Sequence, residues 1–239
     1  MKNLKTLIND INNIWDEKQF QIIREPILIK TINDINKMES LPRVLDMPIK
    51  MNNSDEIILP SEFQKNDKIK EIISEILKYE KDINKNWEDY YIYLTYDKKM
   101  IEPHNTHRRE GWHIDGLQSI NYPNKMKVCH SYLLSDCLET EFAIQSFDVS
   151  KLEYDKHNWF NELGKQVKSK NIKTYGHNKL VCMTAYQVHR CNKTEEEKFR
   201  NFIRIEFSLK EFNRIGNTIN ENLKTNWNYI RRDIPTNLK

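Results

Sequence analysis

Beyond Trp87 the apolar residues of this chain change period, and that change limits the possible folds more than any other feature. Upstream, Leu4, Leu7, Ile8, Ile11, Ile14 and Trp15 share one helical face over residues 3–15, and Ile69, Ile72, Ile73, Ile76, Leu77 and Ile83 repeat the pattern over 67–83. Downstream, Tyr90–Tyr96, Val128–Leu134, Leu180–Tyr186 and Phe199–Phe207 are dense in aromatic and β-branched residues, as strands are. Between the two regimes Pro26, Pro42, Pro48 and Pro60 cut the chain into short pieces, with Ile27–Ile29 and Ile57–Leu59 as candidate short strands. Helices followed by strands, without strand–helix alternation, argue against a doubly wound parallel sheet. They point to an α+β fold, an antiparallel jelly roll (double-stranded β-helix) carrying helices on one side.

Length gives no reason to divide the 239 residues, which read as one domain. Within it, 1–89 is expected to be a mainly helical supporting region, 90–210 the strand-rich core and 211–239 a C-terminal extension. Lys+Arg 38 against Asp+Glu 35 leaves a net charge of +3, with the basic residues scattered, so duplex nucleic acid is not the expected partner. No stretch approaches the roughly 18 consecutive apolar residues of a membrane span, and an unprocessed cytoplasmic protein is expected. Cys129, Cys137, Cys182 and Cys191 form no Cys-x-x-Cys pair and are too few for a disulfide scaffold, which fits a reducing compartment. Nothing in the sequence speaks to oligomeric state.

Asn, Lys and Ile have codons that can be built from A and T, so their abundance is a weak functional signal. Glycine is the informative residue, because only five are present and two of them, Gly111 and Gly116, bracket His113-Ile-Asp115. A lone His-x-acid pair means little, since this composition yields roughly one by chance. In an extended segment, however, His113 and Asp115 present an imidazole and a carboxylate to the same side, while Ile114 points away. Two imidazoles and one carboxylate make a face on a divalent ion that leaves other coordination positions open. The second imidazole is expected from His189, at the end of an apolar strand running from Leu180 to Val188 and followed by a polar hairpin loop, Asn192–Lys198.

On the next strand Arg200, Phe202 and Arg204 share one face, and Ile203, Ile205 and Phe207 the other. Two arginines beside a metal ligand suit a carboxylate clamp, since guanidinium offers a fork of donors that a carboxylate matches. The competing reading is an arginine row on a solvated edge strand, paired with Glu195–Glu197. Taken in order, the His-x-Asp motif, a strand pair, a distal histidine and an arginine about ten residues later resemble the iron(II)/2-oxoglutarate-dependent dioxygenase superfamily. Ser131–Phe142 looks like that family's strand and turn after the first ligands, and Gly176–Cys182 like its approach to the distal histidine. The resemblance covers about residues 90–210.

That resemblance implies Fe(II) held by His113, Asp115 and His189, 2-oxoglutarate as cosubstrate with its remote carboxylate on Arg200, Arg204 as a second arginine gripping the cosubstrate or the substrate, O2 as oxidant, and hydroxylation of a small-molecule substrate. The Arg-x-Asn-x-x-x-x-x-Arg pattern of nucleic-acid demethylases is missing, as is an Arg-x-Ser after His189. A nucleic-acid or protein side-chain oxygenase is thereby the lesser alternative. A rival of another class is a zinc-bound jelly-roll protein that binds or hydrolyses its ligand. Trp112, Gln118, His130, Tyr132 and Arg109 are candidate pocket residues, with core packing or exposure as their bland readings. Arg108-Arg109 suits an anionic group at the pocket mouth or simply a solvated turn. His104 and His107 form an alternative pair with no third ligand indicated, and His157 and His177 read as loop residues. Trp159, Trp227, Tyr175 and Tyr186 are further aromatics for a pocket or a core.

Overall fold

The computed structural model describes residues 7, 14–108, 110–115, 128–153 and 156–231. Of the helix expected over 3–15, only Leu7, Ile14 and Trp15 fall among them; Leu7 is buried, Ile14 is exposed, and Trp15 stacks on Tyr186 at 4.8 Å between ring centroids.

Periodicity places the second helix well. Helix α1 (Ser61–Gln64) leads into α2 (Asp67–Ile83), which begins where the Asn66 side chain accepts hydrogen bonds from the N–H groups of Lys68 and Ile69. Its apolar face buries Ile69, Ile72, Ile73, Ile76 and Ile83, each contributing about 1.5–3 kcal/mol on leaving water. A third helix, α3 (Trp159–Gln166), starts at an Asn158 cap.

Among the described residues nine strands make two antiparallel sheets. The larger holds β1 (Ile27–Thr31), β7 (Lys179–Thr184), β4 (Cys129–Ser135), β9 (Lys198–Ser208), β3 (Tyr91–Ile101) and β2 (Val44–Lys50), in that spatial order. The smaller runs β6 (Ile172–Lys173), β5 (Thr140–Ala143), β8 (His189–Cys191), and His113 bridges onto β8. From β3 onward the chain alternates between sheets: β3 large, His113 small, β4 large, β5 and β6 small, β7 large, β8 small, β9 large. That winding is the jelly roll anticipated from the strand pattern.

Alternation along each strand then builds two interiors. One face of the large sheet, with Ile92, Leu94, Tyr96, Tyr132, Leu134, Ile203, Ile205 and Phe207, packs on α2. The other face sends Leu133, Val181, Met183 and Phe202 against Phe142 of the small sheet. Only this second interior contains the site.

Three expectations need correction. Ile57–Leu59 is not a strand; Ile58 donates one backbone bond to Ile49, and Pro60 stops the segment from extending the ladder. Val44–Lys50 is a strand in spite of Pro48, because β2 is an edge strand, where a missing N–H is tolerated. The apolar run ending at Val188 is not one strand: β7 stops at Thr184, the chain turns, and His189 opens β8 in the other sheet. Residues 1–89 therefore supply two strands as well as helices.

Candidate metal centre

His113 and His189 meet because they are cross-strand partners. Each donates its backbone N–H to the other's carbonyl at 2.9 Å, which sets the two rings 4.6 Å apart between centroids. Asp115, two residues on, lies on the same side. Ligand atoms of His113, Asp115 and His189 all fall within 4.8 Å of one another, and no other such group of three occurs among the described residues.

Each ring is aimed from behind. Nδ1 of His113 lies 2.8 Å from the Gly111 carbonyl, and Nδ1 of His189 lies 2.9 Å from the Gln187 carbonyl. A carbonyl can only accept, so Nδ1 of each ring carries a proton and Nε2 is the ring nitrogen turned away from that carbonyl. Gly111 takes φ of +96° with nothing within 4 Å of a would-be Cβ, so its backbone conformation, not crowding, requires glycine there. Gly116 lies outside the described residues.

Asp115 completes the donor set. Its Oδ1 accepts an ion pair from Nη1 of Arg204 at 3.0 Å, whereas Oδ2 is buried without a hydrogen-bond partner among the described residues and sits 3.9 Å from Nε2 of His189. Burial alone would raise this carboxyl, but Arg204, His189, His113 and Arg108 outweigh it and hold it well below the usual carboxylate range. An ionised oxygen with no hydrogen-bond partner among the described residues, beside two imidazole rings, fits a divalent cation.

The two arginines of β9 face inward, as their alternation requires, and the reading of a solvated arginine row is overturned. Their settings differ. Arg200, 1% exposed, donates Nε to the Cys137 carbonyl at 2.8 Å, lies 4.9 Å from the Phe202 ring centroid, and leaves Nη2 without a partner among the described residues. Arg204 is enclosed by carboxylates: Asp115, Asp46 Oδ1 at 2.8 Å and Glu206 Oε2 at 2.9 Å. Glu206 is pushed up to about 8 by burial, with Asp46 and Asp115 adding to the rise and Arg204 opposing it.

Several candidate pocket residues lie elsewhere. His130 and Tyr132 point to the opposite face of the large sheet, where His130 Nε2 and the Tyr132 hydroxyl bond the buried Glu80 carboxylate at 2.8 and 2.7 Å. Their even positions on β4 send them to α2, while Ser131 and Leu133 face the interior of the jelly roll. Trp112 is buried in a separate apolar cluster with Trp159 and Tyr186, and the Arg190 guanidinium covers its ring at 4.5 Å. Trp227 sits edge-on to Tyr91 and Tyr175 to Phe142. Arg109 and Gln118 lie outside the described residues. Arg108 is exposed, and its charge is felt at both Asp115 and Glu206.

The His104/His107 pair is also dispersed. His104 is exposed beside Glu195, and His107 is buried with Nε2 3.0 Å from Asp97 Oδ2. His157 and His177 engage Glu153 and Glu139. Three neighbours of the centre went unread in the sequence. Phe160 of α3 stands edge-on to His113 at 5.6 Å, and no sequence signal marks it. Asp46 and Glu206 are acids inside apolar runs, a signal that was present.

No family profile and no curated protein matches the chain by sequence. Among solved structures it is similar to EvdO2 from Micromonospora carbonacea var. aurantiaca, with 9% identity, TM-score 0.35, 57% of this chain and 59% of that one. The chain thus spans about three fifths of EvdO2 in that match. It is also similar to an oxidoreductase of the 2OG-Fe(II) oxygenase family from Burkholderia pseudomallei, at 10% identity and TM-score 0.39 over 73% of this chain and 76% of that one. AviO1 from Streptomyces viridochromogenes Tue57 matches at 12% identity and TM-score 0.41, over 80% and 92%. At these identities the nature of the centre rests on its own atoms: two imidazoles and one carboxylate whose ligand atoms lie within 4.8 Å of one another between the sheets of a jelly roll.

Proposed function

We propose that this chain is a non-haem iron(II)- and 2-oxoglutarate-dependent oxygenase acting on a small-molecule substrate. The observation that carries the reading is the donor set itself: two histidines fixed through Nδ1 to backbone carbonyls, and an ionised Asp115 with one oxygen that has no hydrogen-bond partner among the described residues. Three protein ligands on one side leave room for exchangeable ligands, which an oxygenase needs and a closed structural zinc site does not.

Arg200 supplies the second element. A guanidinium buried with one nitrogen unpartnered is costly unless an anion answers it, and the far carboxylate of 2-oxoglutarate has the matching geometry. Phe160 and Phe142 stand ring to ring with His113 and His189, of which His189 is buried. Iron and 2-oxoglutarate, when bound, would supply the oxidative chemistry: with O2 as oxidant, one oxygen atom goes into succinate as the cosubstrate loses CO2, and the other becomes the hydroxyl on a carbon of the substrate.

The test is anaerobic addition of Fe(II) and 2-oxoglutarate, read as the visible metal-to-ligand charge-transfer band. Succinate release is then screened across amino acids, nucleosides and peptides, with uncoupled turnover subtracted. A band that is lost in His113→Ala and Asp115→Ala supports the reading. Tight zinc retention without any 2-oxoglutarate-dependent band points instead to the zinc-binding alternative.

A further inference from the structure

Asp115 is held by a support that originates in the N-terminal part of the chain, far from the motif in sequence. Arg204 touches Asp115 with Nη1 and Asp46 with Nη2, so one guanidinium spans the metal-binding carboxylate and an acid from β2. Asp46 is itself built into place. It lies where the β2–β3 register shifts between Val44 and Met47, and its φ is +45°, a left-handed conformation that aspartate tolerates better than most residues. Thr95, on the β3 face opposite Arg204, accepts the Asp46 N–H and donates its hydroxyl to Asp46 Oδ1, both at 3.0 Å. The bulge thus re-aims one side chain of an edge strand into the interior, and two hydrogen bonds lock it.

An ion-pair network kept only for stability would satisfy both oxygens of Asp115, because a buried unpaired carboxylate oxygen costs free energy. Among the described residues this one satisfies Oδ1 alone and leaves Oδ2, 3.9 Å from His189 Nε2, without a hydrogen bond. The asymmetry has a use. A carboxylate tied back through one oxygen offers the other at a set angle, and such outer partners tune both the affinity and the geometry of a metal site.

We infer that Asp46 and Arg204 are positioning residues for Asp115: they fix it for single-oxygen binding of the metal, and they make the N-terminal segment an integral part of the centre. The inference rests on the metal centre proposed above. It also reassigns Arg204, which the sequence offered as a second grip on 2-oxoglutarate.

Co(II) serves as the probe, read by its visible ligand-field spectrum and by calorimetric titration, without turnover. Wild-type protein is expected to bind one equivalent. Asp46→Asn, which keeps the size and the Thr95 contact, and Arg204→Met are each expected to weaken Co(II) binding about 10–100-fold and to change the spectrum. Arg204→Lys, with one point of donation in place of a fork, should fall between. The double variant Asp46→Asn/Arg204→Met should lose no more than Arg204→Met alone, since Asp46 acts through the arginine. Circular dichroism and thermal unfolding confine the comparison to folded protein. Wild-type affinity and spectrum in folded Asp46→Asn, or losses that simply multiply in the double variant, overturn the inference while leaving the metal centre standing. Failure of the wild-type protein itself to bind Co(II) overturns the centre.

Discussion

A histidine that donates from Nδ1 to a carbonyl has its ring orientation set from behind, and both histidines of this site are held in that way. The two arginines four residues apart on β9 illustrate how neighbours of the same type take different work. Arg204 is surrounded by Asp46, Asp115 and Glu206, whereas the charge of Arg200 meets a carbonyl, a phenyl face and an open nitrogen. Arg200→Ala should therefore raise KM for 2-oxoglutarate tenfold or more, a loss of about 1.4 kcal/mol or greater, with Co(II) affinity unchanged. Arg204→Ala should do the reverse. Steady-state kinetics and metal titration on the same preparations decide this, and a larger KM effect from Arg204 would show that the clamp is misassigned. That both arginines share a face was legible from strand alternation; that the face is turned inward, and which of them touches a metal ligand, was not, because the latter depends on Asp46, 158 positions away.

At the scale of elements, α2 and the large sheet are joined by a buried polar cluster inside an otherwise apolar interface. Glu80 accepts from His130, Tyr132 and Asn84, and although burial works to raise its carboxyl, these partners hold it below the ordinary range. Removing one partner leaves a buried charge unanswered. His130→Ala should cost about 3 kcal/mol or more, measured by urea unfolding, with Co(II) binding retained by the folded protein. Loss of metal binding in folded His130→Ala would contradict its placement away from the centre. Helix α2 was readable because seventeen residues carry five buried isoleucines at helical spacing. Strand β2 was not, since Pro42 and Pro48 read as breakers; only its place at the sheet edge makes Pro48 acceptable. The edge is then covered by the C-terminal region, where Leu45 and Thr218 bond each other at 2.8 and 2.9 Å and Asn220 donates to the Pro48 carbonyl.

For the molecule as a whole, pH dependence of stability should carry the signature of Glu206. Its folded carboxyl titrates at about 8, against about 4.3 when unfolded. Between these values the folded state keeps a proton that the unfolded state has released, so this group's contribution is full below about 4.3 and is lost as pH rises through about 8. In metal-free protein, Glu206→Gln should flatten the decline over that window by up to about 1.4 kcal/mol per pH unit. Chemical unfolding at a series of pH values tests it, and equal slopes in the two proteins would place Glu206 in its ionised form. The sequence by itself determined the sheet-rich half, the long helix, the shared face of Arg200 and Arg204 on β9 and the three candidate ligands, because those follow from local periodicity and from the side chains that bind cations. Only the tertiary structure decided that His113 and His189 are cross-strand partners, that His130 and Tyr132 turn to the helix, and that Asp46 reaches the centre. Period along a strand says which residues share a face, but which faces meet, and which distant acid completes a charge network, depends on how the sheets wind together.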